Sequence, residues 1–213
     1  MITENINAYD KSAKAFDEKI GTLSNYDEAY DFLLAHLNAN DEVLDLACGP
    51  GNIGRYLVNK IPSLSITGID LAPAMLKVAK QNIPSGNFIC SNITDFIIPT
   101  SATDKSAKQY DVVINGFGLP YLSGEEVVKS FKQSAMHLKK GGVFYVSFME
   151  GDKVQKEHPS FNPEITLTVT YHPQKKIESI LEDTGFSIIK KYNLDYKESD
   201  GSITTDVVLI CTL

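Results

Sequence analysis

Short β-branched apolar runs alternate with longer amphipathic stretches along most of the chain, and no other feature of the sequence restricts its fold as strongly. Runs bounded by turn residues predict strands at Glu42–Ala47, Ser65–Asp70, Asn87–Ser91, Tyr110–Asn115, Gly142–Phe148, Ser187–Asp195 and Thr205–Thr212. Helical spacing of apolar residues predicts helices over Ala8–Lys19, Tyr26–Leu37, Ile53–Lys60, Ala72–Gln81, Glu125–Leu138 and Pro173–Thr184. Strand, helix, strand in repetition means parallel strands with crossover helices, because a tight turn cannot join two parallel neighbours. The rhythm breaks at Tyr196–Thr204, a polar link with Asp-Gly turn chemistry, so the last two strands are expected to run antiparallel. The predicted class is α/β: a doubly wound, mostly parallel seven-stranded sheet ending in an antiparallel hairpin. Pro99–Gln109 reads as a surface loop, and Glu150–Pro163 as an irregular stretch leading into the β-branched run Ile165–Thr170.

A length of 213 residues suits one domain. A net charge of -7 with scattered Lys and Arg offers no basic stripe for a phosphate backbone, which argues against nucleic acid as a partner. The polar start, Met1 to Lys11, has no apolar segment of signal-peptide kind, and no run reaches membrane-spanning length. The expected location is the cytoplasm, with no membrane partner. Cys48, Cys90 and Cys211 are odd in number and widely spaced, and they read as small buried side chains of a reducing compartment, with no metal site.

Chemistry concentrates in Val43–Gly54, where an apolar strand runs into a glycine-rich turn that opens a helix. Missing Cβ atoms let a ligand approach the backbone there, and the helix start offers unpaired N–H groups. Gly49, Gly51 and Gly54 spell the dinucleotide pattern G-x-G-x-x-G, so an NAD(P)-dependent oxidoreductase is one reading. Asp45 opposes it: a carboxylate inside the strand, four positions before the first glycine, would repel a pyrophosphate and suits a cation. Asp70, at the end of the second strand and 21 positions after Gly49, is placed to accept hydrogen bonds from ribose hydroxyls. A nucleoside with a positively charged tail and no phosphate meets both conditions, as S-adenosylmethionine does.

Val43–Gly51, Gly68–Leu76 and Asp111–Gly118 resemble the class I S-adenosylmethionine-dependent methyltransferases, especially those acting on small molecules. The resemblance extends over roughly residues 8 to 212, and it implies a Rossmann-like core over 39–213 with an N-terminal helical lid over 1–38. It implies further that the final strand slots antiparallel between the fifth and sixth. Asp45, Ala47, Gly49 and Gly51 would line the methionine end of the cofactor, Asp70 would bind the ribose, and Leu71 would pack on the adenine. Asn92 and Ile93 stand where the family places an acceptor for the adenine amino group, with the Asn92 carbonyl oxygen taking that part. Asn115 and Gly116 would present backbone carbonyls to the cofactor's ammonium. Ala47 replaces the family's first glycine, which tightens the turn.

Methyl transfer from a sulfonium is an in-line displacement that needs a base only when the acceptor loses a proton. Candidates near the expected mouth are Tyr9, Tyr121, Glu150, His158, Tyr171 and His172, with Tyr9 expected to cover the site and His172 to act as the base. His172 precedes Pro173, and its position fits a residue that caps or leads into the last helix better than a base. The expected function is methylation of a small-molecule acceptor. Its rivals are the oxidoreductase and a binding protein for S-adenosylmethionine without catalysis.

Overall fold

The computed structural model describes residues 2–197 and 203–213. The chain order is α1 (Ile2–Ile20), α2 (Asp27–Leu34), β1 (Glu42–Leu46), α3 (Asn52–Lys60), β2 (Ser65–Asp70), α4 (Pro73–Asn82) and β3 (Asn87–Cys90). It continues with β4 (Tyr110–Gly116), α5 (Gly124–His137), β5 (Leu138–Met149), β6 (Lys153–Glu157), β7 (Leu167–Tyr171), α6 (Gln174–Asp183), β8 (Ser187–Lys197) and β9 (Ile203–Thr212). A single turn of 3₁₀ helix, Leu119–Tyr121, follows β4.

Seven strands form one sheet in the order β3-β2-β1-β4-β5-β9-β8, with β9 antiparallel to both neighbours and the other pairs parallel. The expected α/β sheet and its closing antiparallel pair are therefore present. Part of the link between β8 and β9, Glu198–Ser202, lies outside the described residues. Because β2 and β4 flank β1 and their crossovers leave in opposite directions, a crevice opens at the carboxyl ends of β1 and β4.

Strand alternation decides what each face of the sheet carries. Leu44, Leu46, Val113, Phe144 and Leu209 join α5 and α6 in one buried cluster. Val43, Ile66, Val112, Ile114 and Tyr145 pack under α2 and α3 in another. Asp45 shares the second face with Val43, since side chains two apart in a strand point the same way. Its register partner on β2 is Gly68, and Asp70 lies two positions beyond on that face. A Cβ on Gly68 would stand 2.8 Å from Cys48 Sγ and 2.7 Å from Phe88 Cδ1, so only glycine leaves this space beside Asp45.

The irregular stretch expected at Glu150–Pro163 is in part ordered: β6 pairs antiparallel with β7 as a separate two-stranded sheet. The alternation of charge in Lys153–Glu157 hid this strand, because it answers to its partner and not to a core. Cys48 and Cys211 are buried, but Cys90 is exposed at the end of the edge strand β3, which corrects the expectation that all three are core; all are free thiols. Among the described residues no helix is long and apolar enough to cross a membrane.

Candidate active site

A cavity of about 490 Å³ occupies the crevice at the strand ends. Ala47 and Gly49 reach it from the turn after β1, and Asp70 and Leu71 from the end of β2. Asn92 and Ile93 reach it from beyond β3, and Gly116 from the end of β4. Helix α1 crosses the opening and contributes Tyr9, and α2 contributes Tyr26 and Tyr30.

The turn that carries the glycines is held by Asp70. The Gly49 N–H donates to Asp70 Oδ2 at 2.9 Å, and the Ala72 N–H donates to Asp70 Oδ1 at 2.8 Å. Burial pushes this carboxyl up while the backbone N–H groups of Ala72, Gly49 and Leu71 pull it down, and the net shift is upward. Each oxygen keeps a lone pair for a ligand hydroxyl. Ala47 adopts φ +54°, a left-handed conformation, so the departure from glycine is a strained position inside the site.

Asp45 lies at the root of the same turn, 2% exposed, and no described residue donates a hydrogen bond to it. Burial, and after it the charge of Asp70, pushes its carboxyl up to about 8. A buried carboxyl that neither ion pair nor hydrogen bond satisfies is costly unless a ligand supplies the partner. Asp45 itself is not part of the cavity lining, which Ala47, Cys48 and Gly49 of the same turn and Asp70 reach; a carboxylate at this depth favours a cation over a pyrophosphate as its neighbour.

Several expected residues are placed otherwise. Gly51 is left-handed at φ +77° and caps α3, but a Cβ there would face Ile83 Cδ1 at 3.3 Å and Ala79 Cβ at 3.4 Å, so it seats the turn on α4 and does not line the cavity. Asn115 is fully buried: Nδ2 donates to Ser130 Oγ at 3.2 Å and Oδ1 accepts from the Gly118 N–H at 3.1 Å, so it braces the turn that presents Gly116. Asn92 does line the cavity, yet its Oδ1 accepts from the Thr94 N–H and hydroxyl, both at 2.9 Å. The amide NH₂ is the end left for a ligand.

His172 corrects the expectation of a base at the mouth. It is buried outside the cavity lining, with Nε2–H donating to the Leu119 carbonyl at 2.8 Å, and burial holds its pKa below the ordinary value. Its ring secures the 3₁₀ turn that carries Tyr121. Glu150 accepts from the Gln174 N–H at the start of α6, His158 is tied to the Ile165 carbonyl, and the Tyr171 hydroxyl donates to Glu157 Oε1. None of these three lines the cavity.

Tyr9, in contrast, is central. Its hydroxyl is hydrogen-bonded to that of Tyr121, and its ring meets Phe16 edge-on at 5.5 Å and stacks on Phe161 at 6.1 Å. Burial, and next the neighbouring phenol, raises the Tyr9 pKa, and burial pushes Tyr121 up to about 12. Both hydroxyls therefore stay protonated: one donates to the other, and the pair keeps one O–H to donate and lone pairs to accept. Tyr26 and Tyr30 in the cavity wall were legible only as the apolar face of a helix, because tyrosines at i and i+4 read as packing.

Helix α1 is anchored on two sides. Asp10 Oδ1 accepts from the Ala74 N–H at 2.8 Å, capping α4, whose own N-cap Ala72 has no side-chain acceptor. Asn5 makes a two-way bond with the β7 backbone, donating to the Thr168 carbonyl at 2.8 Å and accepting from its N–H at 2.9 Å.

Residues 43–142 match the family model of a methyltransferase domain. The trans-aconitate 2-methyltransferase of Klebsiella pneumoniae is 37% identical over 95 residues, 45% of this chain and 34% of that protein. The chain spans between about a fifth and three-fifths of the length of the curated relatives it matches. Among solved structures, N-methyltransferase NodS from Bradyrhizobium japonicum, in complex with S-adenosylhomocysteine, superposes with a TM-score of 0.69 at 13% identity, covering 98% of each chain. The 1,6-didemethyltoxoflavin-N1-methyltransferase of Burkholderia thailandensis superposes at 0.68 with 14% identity, covering 98% of this chain and 87% of that one. At these identities the likeness is one of fold.

Proposed function

We propose that the protein, whose residues 43–142 match a methyltransferase domain, is a class I S-adenosylmethionine-dependent methyltransferase that transfers a methyl group to a small-molecule acceptor by in-line displacement. The single observation that carries this reading is Asp45, a buried carboxyl with no described hydrogen-bond donor, on the same sheet face as Asp70 at the root of the glycine turn. An oxidoreductase built on the same glycines leaves that carboxyl without a partner.

Bound S-adenosylmethionine supplies an electrophilic methyl group on a sulfonium whose sulfur leaves as a neutral thioether. Asp45 offsets the positive charge of the amino acid end, with Ala47 and Gly49 admitting it close to the backbone. Asp70 accepts from the ribose hydroxyls while holding the turn through Gly49 and Ala72. Leu71 and Ile93, both in the lining, would pack on the adenine, and the Asn92 NH₂ would be free to donate to it. Gly116, held by the Asn115 brace, leaves room beside the reacting end. Tyr9 and Tyr121 close the cavity against water, and their protonated hydroxyls orient the acceptor. Acceleration comes from holding the acceptor in line, and an acceptor whose lone pair is free at neutral pH needs no protein base.

Calorimetric titration with S-adenosylhomocysteine, followed by transfer of a labelled methyl group to a metabolite extract, tests the proposal. Binding in the micromolar range with labelled product supports it. A folded sample that ignores millimolar S-adenosylhomocysteine, or is stabilised by NAD instead, refutes it, and binding without transfer to any acceptor favours a sensor. The names of the relatives point to acceptors as different as trans-aconitate and a toxoflavin precursor, so the acceptor has to be argued from this chain's own cavity.

A further inference from the structure

The walls of the cavity carry a charge balance and a ring content that select among acceptors. Of the described residues lining it, the one cation is Arg55, and its Nη2 lies 3.3 Å from Asp17 Oδ1 of α1, so its charge is already countered. The lining includes the acids Asp27 and Asp70, with Asp45 just beneath, and no lysine or histidine. With Asp70 and Asp45 engaged by the cofactor, an acceptor with several carboxylates would still meet Asp27 in the lining, with no free guanidinium or ammonium to pair with, and like charges at close range oppose binding.

Seven of the described lining residues carry aromatic rings. Tyr26 meets Phe117 edge-on with centroids 5.4 Å apart, and Tyr9 meets Tyr121 in the same manner at 5.6 Å. The rings of Tyr30 and Tyr56 lie 5.2 Å apart. Ring walls set at such angles offer both faces and edges, which suits a flat π-system entering between them. The paired hydroxyls of Tyr9 and Tyr121 add a neutral polar handle, with one O–H to donate and lone pairs to accept, suited to a neutral hydroxyl or amino group.

We propose that the acceptor is an uncharged aromatic ring system bearing a hydroxyl or amino group, and that the cavity discriminates against carboxylated acceptors. This inference rests on the methyltransferase reading of the cavity, and the test separates the two. The intact protein is first titrated with S-adenosylhomocysteine; no binding removes the reading and the inference with it. Protein saturated with S-adenosylhomocysteine is then titrated, by calorimetry and ligand-observed NMR, with 2-naphthol, its carboxylated counterpart 3-hydroxy-2-naphthoate, trans-aconitate and the aliphatic amine putrescine.

The neutral ring is expected to bind at least about tenfold more tightly than the carboxylated ring, the scale of a like-charge penalty in a partly desolvated site. In Asp27→Asn that ratio is expected to narrow several-fold, with S-adenosylhomocysteine affinity unchanged. Equal or tighter binding of the naphthoate or of trans-aconitate, preference for putrescine, or no binding of any ring overturns the inference. All three results leave the methyltransferase reading standing, because S-adenosylhomocysteine has already bound.

Discussion

Replacing Asp45 with asparagine tests the arrangement at its most exacting point. The carboxyl is pushed from the ordinary 3.8 up to about 8 by burial and by Asp70. A raised folded-state pKa means that between about pH 4 and pH 8 the folded protein holds a proton the unfolded chain has released, so stability falls as pH rises through that window and levels off above it. The displacement corresponds to a ceiling of about 6 kcal/mol between the two ends of the window. Asp45→Asn has the same shape and no titration, so its stability relative to the parent should climb by several kcal/mol from pH 5 to pH 8.5, measured by urea unfolding without ligand. Asp104, Asp111 and Glu178, whose pKa values are lowered, slope the other way in both proteins and cancel in the difference. Binding of a cationic ligand end ionises Asp45, so titration of the parent with S-adenosylhomocysteine near pH 6.5 should release close to one proton, seen as a buffer-dependent enthalpy that the variant lacks. Parallel pH profiles for the two proteins would refute the reasoning.

Asp70→Ala should weaken S-adenosylhomocysteine binding by about 1.5–3 kcal/mol in calorimetry, the scale of hydrogen bonds to a charged group. It should also lower stability, because the Gly49 and Ala72 N–H groups lose their acceptor. Ala47→Gly relieves the left-handed residue at φ +54° and should stabilise the protein by up to about 1 kcal/mol after the extra chain entropy is subtracted, read from denaturant midpoints. Asp10→Ala removes the cap at α4 and should cost about 1 kcal/mol. The same change loosens α1, so faster tryptic cleavage at Lys11, Lys14 or Lys19 should accompany weaker S-adenosylhomocysteine binding.

Much of the molecule was legible in the sequence because its signals are local. Alternation in β1, the helical spacing that follows and the Gly49–Gly51 turn each depend on residues within a few positions, and the parallel direction of the strands then follows from the helical crossovers. Asp45 and Asp70 could be placed at the ends of neighbouring strands because parallel pairing forces their register. The role expected of His172 failed for the opposite reason: its direction is set by Leu119, 53 positions away, and nothing near residue 172 in the chain reports that bond. The strand at Lys153–Glu157 was missed because only β7 stabilises it.

The sequence by itself thus determined the α/β sheet, the glycine bend and the pair of acids on one face, all products of short-range pattern and strand register. Only the tertiary structure decided that Tyr9 meets Tyr121 across 112 positions, that α1 is pinned to α4 through Asp10 and to β7 through Asn5, and that Asn115 and His172 turn inward as braces. Those outcomes depend on packing between distant elements, where the burial of a ring or the satisfaction of a buried donor selects one arrangement among many that the local sequence permits.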